Sequence, residues 1–144
     1  MKNDFDFDVR KQFFRYYEIL ERANWKKIIV PDRRWDNATA ALYVDSVLRN
    51  VPTQSFYLDG NQPIWNLLDG VKRFNALRDF QTGTFPLVVD LYDGALAGMF
   101  HLEIKGHLCS RISNYQIEAF VLNPGHDRES YNELIKRISC RTEQ

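Results

Sequence analysis

The stretch Leu67-Leu-Asp-Gly-Val-Lys-Arg-Phe-Asn-Ala-Leu77 decides the fold, because an apolar strand runs through Asp69-Gly70 directly into a helix. Gly70 has no Cβ, so the backbone there can take a positive φ or approach a ligand closely. A helix start presents unpaired N–H groups and the positive end of the helix dipole, which together attract anions. Lys72 and Arg73 fall in the first helical turn, where cations oppose the dipole. An anionic partner such as a phosphate explains their presence.

A purely structural interpretation competes for the same residues. Asp69 can simply cap the helix, and Lys72 and Arg73 can be solvated surface residues, because short motifs often match by chance. Spacing alone leaves both interpretations open.

The segment before this stretch is predicted to begin with a helix and a short strand. Apolar residues at helical spacing predict a first helix over Val9–Asn24, and Lys26–Pro31 is a short strand ended by proline. Asp36-Asn37 is predicted to cap a second helix, which Pro52 ends. The apolar stripes of the two helices are Val9, Phe13, Tyr16, Tyr17 and Leu20, then Ala40, Val44, Val47, Leu48 and Val51.

Two strands lead into the Asp-Gly turn. Ser55–Leu58 and Ile64–Leu68 are strand-like, and Asp59–Pro63 between them has turn chemistry, so they are expected to form a hairpin-like pair. A third helix then runs from Val71 to about Phe80. Its inward positions are Val71, Phe74 and Leu77.

The remainder alternates irregularly between strands and helices. The sequence predicts an extended segment over Phe85–Tyr92, a short helix over Leu102–Ile112, a strand over Tyr115–Leu122 and a final amphipathic helix over Glu129–Ile138. This order, without regular βαβ units, predicts an α+β fold with a short mixed sheet flanked by helices.

Composition restricts the class of protein. The 144 residues fit a single domain spanning 1–144, and 19 lysines and arginines balance 19 acidic residues. A neutral chain does not bind polyanions through its bulk charge, so any nucleic-acid contact needs a local basic patch. No apolar run has the length of a membrane span, and the acidic N-terminus lacks the apolar core of a secretory signal.

The cysteine and histidine residues indicate a reducing compartment and predict no metal site. Cys109 and Cys140 lack metal-ligand spacing, and His101, His107 and His126 are not arranged as ligands. We therefore expect a cytoplasmic protein without a metal site.

The motifs over residues 25–140, after the N-terminal helix of 1–24, resemble the ParB/sulfiredoxin-like N-terminal domain of GmrSD-type restriction proteins. That family carries a "V/I-P-x-x-Q-R…W" segment, a helix ending in "S-L-L-x-x-x-P-I-P", a strand and a "D-G-Q-Q-R-L-T-x-L" motif. The corresponding stretches here are Ile29-Val-Pro-Asp-Arg-Arg-Trp35, Val44-Asp-Ser-Val-Leu-Arg-Asn-Val-Pro52, Phe56-Tyr-Leu58 and Asp69-Gly-Val-Lys-Arg-Phe-Asn-Ala-Leu77.

Weaker matches follow in the same order. They are Gly98-Met-Phe-His-Leu102, Arg111-Ile-Ser-Asn-Tyr-Gln-Ile117 and Lys136-Arg-Ile-Ser139.

The resemblance implies a nucleotide site, coupled in the family to cleavage of modified DNA. Asp69, Gly70 and Arg73 retain three of the five D-G-Q-Q-R positions, whereas Val71 and Lys72 replace the two glutamines. Valine cannot orient water or phosphate through a hydrogen bond, although a lysine can still hold a phosphate. We therefore expect binding with hydrolysis weak or lost, and Asp69 and Arg73 are the candidate catalytic residues.

Further cations complete the predicted sites. The resemblance adds Arg33 and Arg34 to Asp69, Gly70, Lys72 and Arg73 as phosphate-binding candidates. Lys26 and Lys27, together with Arg33 and Arg34, form a basic cluster near Trp25 and Trp35 that could bind nucleic acid. The alternative is that the tryptophans belong to the core and the cations are solvated.

Three functions therefore compete. The first is a domain that binds a nucleotide or a nucleic-acid phosphate, linked to DNA restriction or its evasion. The second is a non-catalytic interaction protein, of viral or mobile-element type, that reuses the fold and binds a protein partner. The third is an active NTPase, for which the resemblance implies a nucleoside triphosphate with Mg²⁺. The oligomeric state is left open.

Overall fold

The computed structural model describes residues 8–60, 63–88, 96–104, 106–122, 132–134 and 136–137. In this part of the chain a five-stranded mixed sheet has the strand order β1-β5-β3-β4-β2. The strands are β1 (Val9–Arg15), β2 (Ile28–Ile29), β3 (Phe56–Asp59), β4 (Trp65–Asp69) and β5 (Gln116–Leu122). Pairs β1/β5 and β3/β4 are antiparallel, and pairs β3/β5 and β2/β4 are parallel.

Helices cover one face of this sheet. They are α1 (Tyr16–Asn24), α2 (Asn37–Leu48), α3 (Val71–Gln81) and α4 (Gly106–Ser113), with a 3₁₀ turn at His101–Glu103. Each α-helix adds buried side chains to one apolar core, which also holds Phe56, Leu58 and Leu67 from the sheet. The predicted α+β fold with a short mixed sheet is confirmed.

The region around the deciding stretch follows the prediction closely. Asp36 caps α2 by accepting a hydrogen bond from the Thr39 N–H at 2.8 Å, and β3 pairs with β4 as the expected hairpin. Residues 61 and 62 of the predicted turn lie outside the described residues. The predicted inward positions of α3 are buried.

The predicted helix over Val9–Asn24 is wrong in its first half. Val9–Arg15 is strand β1, paired with β5 over seven residues. The strand ends where the Arg15 N–H donates to the Glu18 carboxylate at 2.7 Å, which begins α1. Apolar residues at Val9 and Phe13 fit helical spacing, but backbone pairing with a strand about a hundred positions later decides the outcome.

Two further boundaries differ from the prediction. Val51 lies beyond the end of α2 and is 42% exposed, because Asn50 takes a positive φ of 60° and turns the chain away. The predicted Leu102–Ile112 helix is divided into the 3₁₀ turn and α4, since Ile104 is extended between them. Leu102 is consequently 94% exposed.

The last segments are described only in part. Residues 85–88 belong to no strand or helix, and residues 89–92 lie outside the described residues. The predicted Tyr115–Leu122 strand is confirmed as β5. Residues 132–134 and 136–137 of the predicted final helix are helical, and the rest of Glu129–Ile138 is outside the described residues.

Candidate functional site

The turn between β4 and α3 requires glycine. Gly70 has a φ of +96°, and a Cβ at this position would lie 2.7 Å from Cγ of Phe56. The Gly70 N–H donates to Asp69 Oδ1 at 2.8 Å, so this carboxylate lies at the positive end of α3. The side of Gly70 that lacks a Cβ therefore faces the Phe56 ring and not an open ligand space.

Arg73 points into the protein and is only 9% exposed. Its guanidinium donates to the carbonyl oxygens of Gln54 and Ser55, and lies 4.7 Å from the centre of the Phe56 ring. The guanidinium nitrogen Nη2 is 3.6 Å from Asp69 Oδ2. These contacts attach the segment entering β3 to the first turn of α3, a structural function for a buried cation.

Lys72, the neighbouring residue, has the opposite orientation. Its side chain is exposed and lines a cleft of about 300 Å³ between α3 and the segment that precedes α2. Among the described residues, Lys72 makes no hydrogen bond or ion pair. The cleft is lined by Arg34, Trp35, Asn37, Ala40, Lys72, Ala76, Asp79, Thr84 and Phe85.

Asn75 holds one wall of the cleft in position. It is fully buried, and its side-chain N–H groups donate to the carbonyl oxygens of Pro31 at 3.0 Å and Arg33 at 2.8 Å. Its own carbonyl oxygen accepts from Arg78 at 2.7 Å. The predicted Arg33–Trp35 segment is therefore fixed against α3, although Arg33 itself projects into solvent.

The cleft carries both signs of charge. Arg34 Nε donates to Asp79 Oδ2 at 2.6 Å, and Arg34 also pairs with Asp32. The Arg34 charge is thus neutralised locally, whereas that of Lys72 is not. An anion can be held at the Lys72 end, and hydrogen-bonding groups can be held by Asp79 and Thr84 at the other.

Trp35 belongs partly to the core. Its ring packs edge-on against Tyr43, with centroids 5.7 Å apart, and its half-buried side chain contacts the main apolar cluster. Burial also raises the pKa of Tyr43 well above its ordinary value. One edge of Trp35 still lines the cleft.

The predicted basic and aromatic cluster is divided by β2. Lys26 and Lys27 precede this strand, and Arg33 and Arg34 follow it. The two groups therefore flank β2, which pairs parallel to β4. The structure therefore brings Arg34, Trp35 and Lys72 together, and places Asp69, Gly70 and Arg73 against Phe56.

Sequence reasoning missed the residues that complete the cleft. Asp79 lies seven positions after Lys72 on α3, so helical periodicity places both on one face and could have indicated it. Asn37, Thr84 and Phe85 reach the cleft only through the packing of α2 and the chain after α3, for which the sequence has no local signal.

Neither a metal site nor a membrane span is found within the described residues. No group of three or more His, Cys, Asp or Glu side chains there could hold a metal ion. No described helix is both long and apolar enough to span a membrane.

Comparison with known proteins assigns no relative to the chain. No protein-family model, curated protein or solved structure matches it.

Proposed function

We propose that this domain binds the phosphate of a nucleotide or a nucleic acid in the cleft lined by Arg34, Trp35 and Lys72, without hydrolysing it. The observation that carries the proposal is Lys72, an exposed ammonium at the wall of a cleft with no partner among the described residues. A phosphate supplies the missing negative charge. A cleft of about 300 Å³ lies at the lower end of the range for small-ligand sites.

The mixed chemistry of the cleft suits a nucleotide better than inorganic phosphate. Asp79 can accept hydrogen bonds from a sugar or a base amino group, and Thr84 can donate or accept them. The exposed edge of Trp35 offers an apolar surface for the base. We place the phosphate at Lys72 and the nucleoside toward Asp79.

Hydrolysis lacks the groups that the resemblance would assign to it. Val71 occupies a glutamine position, is 4% exposed and has no polar side-chain atom. Asp69 and Arg73 contact each other, Asp69 accepts from the Gly70 N–H, and Arg73 donates to the Gln54 carbonyl oxygen. The proposed activity is therefore recognition, in the setting of DNA restriction or its evasion that the resemblance suggests.

Binding of a fluorescent ATP analogue tests the proposal. Lys72→Ala is expected to weaken binding by about tenfold, the effect of removing one charge-assisted hydrogen bond, and Lys72→Arg to retain most of it. Arg22→Ala removes an exposed cation of α1 that does not line the cleft and serves as the control. Equal affinities in wild type and Lys72→Ala contradict the cleft assignment, and phosphate release above the buffer rate with ATP and Mg²⁺ contradicts the absence of turnover.

A second candidate is a protein-interaction domain, and an exposed apolar patch favours it. Val88, Phe100 and Leu102 are 57%, 39% and 94% exposed. Backbone hydrogen bonds between Leu87 and residues 98 and 99 bring these segments together. Light scattering after size exclusion, compared for wild type, Leu102→Lys and the control Leu42→Lys, tests self-association. A concentration-independent monomer in all three argues against self-association through this patch.

A further inference from the structure

The sheet face opposite α1–α4 carries cations and aromatic rings in alternation, and Leu134 packs at one end of it with Leu122 and Tyr57. Successive residues of a strand point to opposite faces, and Phe14 is buried on the helix-covered face. Lys11, Phe13 and Arg15 therefore lie on the other face. We call the set Lys11, Phe13, Arg15, Tyr57, Gln116, Glu118 and Phe120 the open sheet face.

The rings of the open sheet face differ in accessibility, because Phe120 is half-buried and Tyr57 packs against Leu122 and Leu134, whereas Phe13 is open to a flat ligand. Phe13 is 53% exposed on an edge strand. Phe120 is paired in register with Lys11 and with Tyr57, and it stacks on the Tyr57 ring at 5.2 Å with an interplanar angle of 29°. Phe13 is opposite Glu118, and thus diagonal to Phe120. The three rings lie on one face of the adjacent strands β1, β5 and β3, an aromatic strip in which Phe120 and Tyr57 are in contact.

A groove of about 280 Å³ opens beside Phe13. Its walls include the side chains of Gln54, Gln116 and Glu118, and both glutamines are exposed. Side-chain amides and carboxylates are the groups that hydrogen-bond to the edges of nucleobases. The groove therefore combines a ring for stacking with groups that can recognise a base edge.

The cations on this face have no carboxylate partner among the described residues. Lys11 Nζ lies 5.9 Å from the centre of the Phe13 ring, and Arg15 donates to the Asn114 side-chain oxygen at 3.2 Å. Neither forms an ion pair with any residue that the structure describes. The chain has no net charge, but Lys11 and Arg15 form a local positive strip along β1.

We propose that the open sheet face binds single-stranded nucleic acid. Bases stack on Phe13 and Phe120, one base enters the groove toward Gln54 and Gln116, and phosphates pair with Lys11 and Arg15. Cations alone would equally suit an acidic peptide, but the aromatic strip and the amide-lined groove match bases. This surface lies on the opposite side of the sheet from the cleft at Lys72, so the proposal is independent of that site.

Fluorescence anisotropy with a labelled oligo-deoxythymidine of about twelve nucleotides tests this surface. Phe13→Ala is expected to weaken binding by about tenfold through loss of base stacking. The double variant Lys11→Gln/Arg15→Gln is expected to reduce the slope of log affinity against log salt by about 1.4, or ~0.7 for each phosphate that is no longer neutralised. Circular dichroism confirms that each variant is folded.

The control variant Arg22→Gln removes an exposed cation of α1, beside Phe14 on the helix-covered face, and should leave binding unchanged. An oligonucleotide that does not bind at low salt, or an equal loss in the control, overturns the proposal. If ATP displaces the labelled oligonucleotide as effectively as unlabelled oligonucleotide does, the two ligands share a site, and the proposal is also overturned. Binding of a poly-glutamate peptide that Phe13→Ala does not weaken would identify an acidic protein partner instead.

Discussion

Two adjacent cations at the start of α3 have opposite surroundings. Arg73 is buried against Phe56 and the backbone before β3, whereas Lys72 is exposed at the cleft. Successive helical residues point about 100° apart, so one can face the core while the next faces solvent. The residue type fits each place, because a guanidinium can satisfy several carbonyl oxygens and an ammonium remains a hydrated point charge.

Stability measurements distinguish the structural role of Arg73 from the proposed binding role of Lys72. Arg73→Ala is expected to lower the free energy of unfolding by about 3 kcal/mol or more, because it removes a buried guanidinium with its hydrogen bonds to the Gln54 and Ser55 carbonyl oxygens and its contact with Asp69. Lys72→Ala should change it by less than about 0.5 kcal/mol. Urea unfolding followed by circular dichroism measures both. A stable Arg73→Ala protein would refute the structural assignment of this arginine.

Gly70 allows a matched test of the close contact with Phe56. Gly70→Ala introduces a Cβ both at positive φ and within 2.7 Å of the ring, whereas Gly83→Ala introduces one at a φ of +84° with no atom within 4 Å. The backbone strain costs about 1–2 kcal/mol in either variant. Gly70→Ala is expected to lose roughly a further 1–3 kcal/mol through overpacking. Equal losses in thermal unfolding would show that the proximity of Phe56 adds nothing.

At the scale of elements, local signals account for the parts that the sequence predicts correctly. Asp36 before α2 and Asp69-Gly70 before α3 are short-range patterns whose geometry depends on neighbouring residues. Strand β1 depends instead on pairing with β5, which no local pattern reveals, so its apolar residues wrongly predict a helix.

In the candidate site too, local sequence patterns predict some features, and contacts with distant segments determine the others. Its position beside α3 and the involvement of Arg34, Trp35 and Lys72 follow from sequence motifs. The inward orientation of Arg73 does not, because its partners Gln54 and Ser55 are contributed by the segment entering β3. The local pattern at Asp69-Gly70 alone cannot distinguish a buried arginine from a ligand-binding one.

Capping of α2 supports the wall of the cleft and can be tested directly. Hydrogen bonds from Thr39 lower the pKa of Asp36 below its ordinary value of 3.8. The stabilisation is therefore present above pH ~3.8 and is lost as pH falls through the depressed pKa. Asp36→Ala should lower the thermal midpoint by a few degrees at neutral pH, and Asp36→Asn, which keeps a side-chain oxygen acceptor, should remain near wild type. The difference in midpoint between Asp36→Ala and wild type is expected to shrink at low pH as the charge is lost; equal midpoints at neutral pH would exclude the cap.

At the scale of the whole molecule, the core contains tyrosine hydroxyls that constrain its behaviour in alkali. Tyr16 is fully buried, and its hydroxyl has no hydrogen-bond partner among the described residues. Burial raises the pKa of Tyr16 and that of Tyr43 far above the ordinary 10.0. The folded state thus keeps these protons at a pH where the unfolded chain releases them.

The free energy of unfolding should therefore fall as pH rises above about 10. Each buried tyrosine contributes up to about 1.4 kcal/mol per pH unit. Tyr16→Phe is expected to be at least as stable as wild type at pH ~7, since it removes an unpartnered hydroxyl, and to show about half the alkaline slope. Tyr17→Phe, at an exposed ring, is the control. An unchanged slope in Tyr16→Phe, measured by urea unfolding across this pH range, would contradict the burial of its hydroxyl.

The sheet separates two surfaces with different proposed ligands. Helices α2 and α3 form the cleft on one side, and the open sheet face lies on the other. A chain with no net charge can therefore carry two proposed anion-binding surfaces, because its cations are distributed unevenly over its surface.

An NMR titration of ¹⁵N-labelled protein with ATP tests the central claim most directly, since it locates the phosphate without any substitution. The largest amide shift changes are predicted at residues 34–37, 72–79 and 84–85 around the cleft. Changes confined to residues 54–56 and 69–70, or no saturable change at any residue, would contradict the assignment of phosphate binding to Lys72.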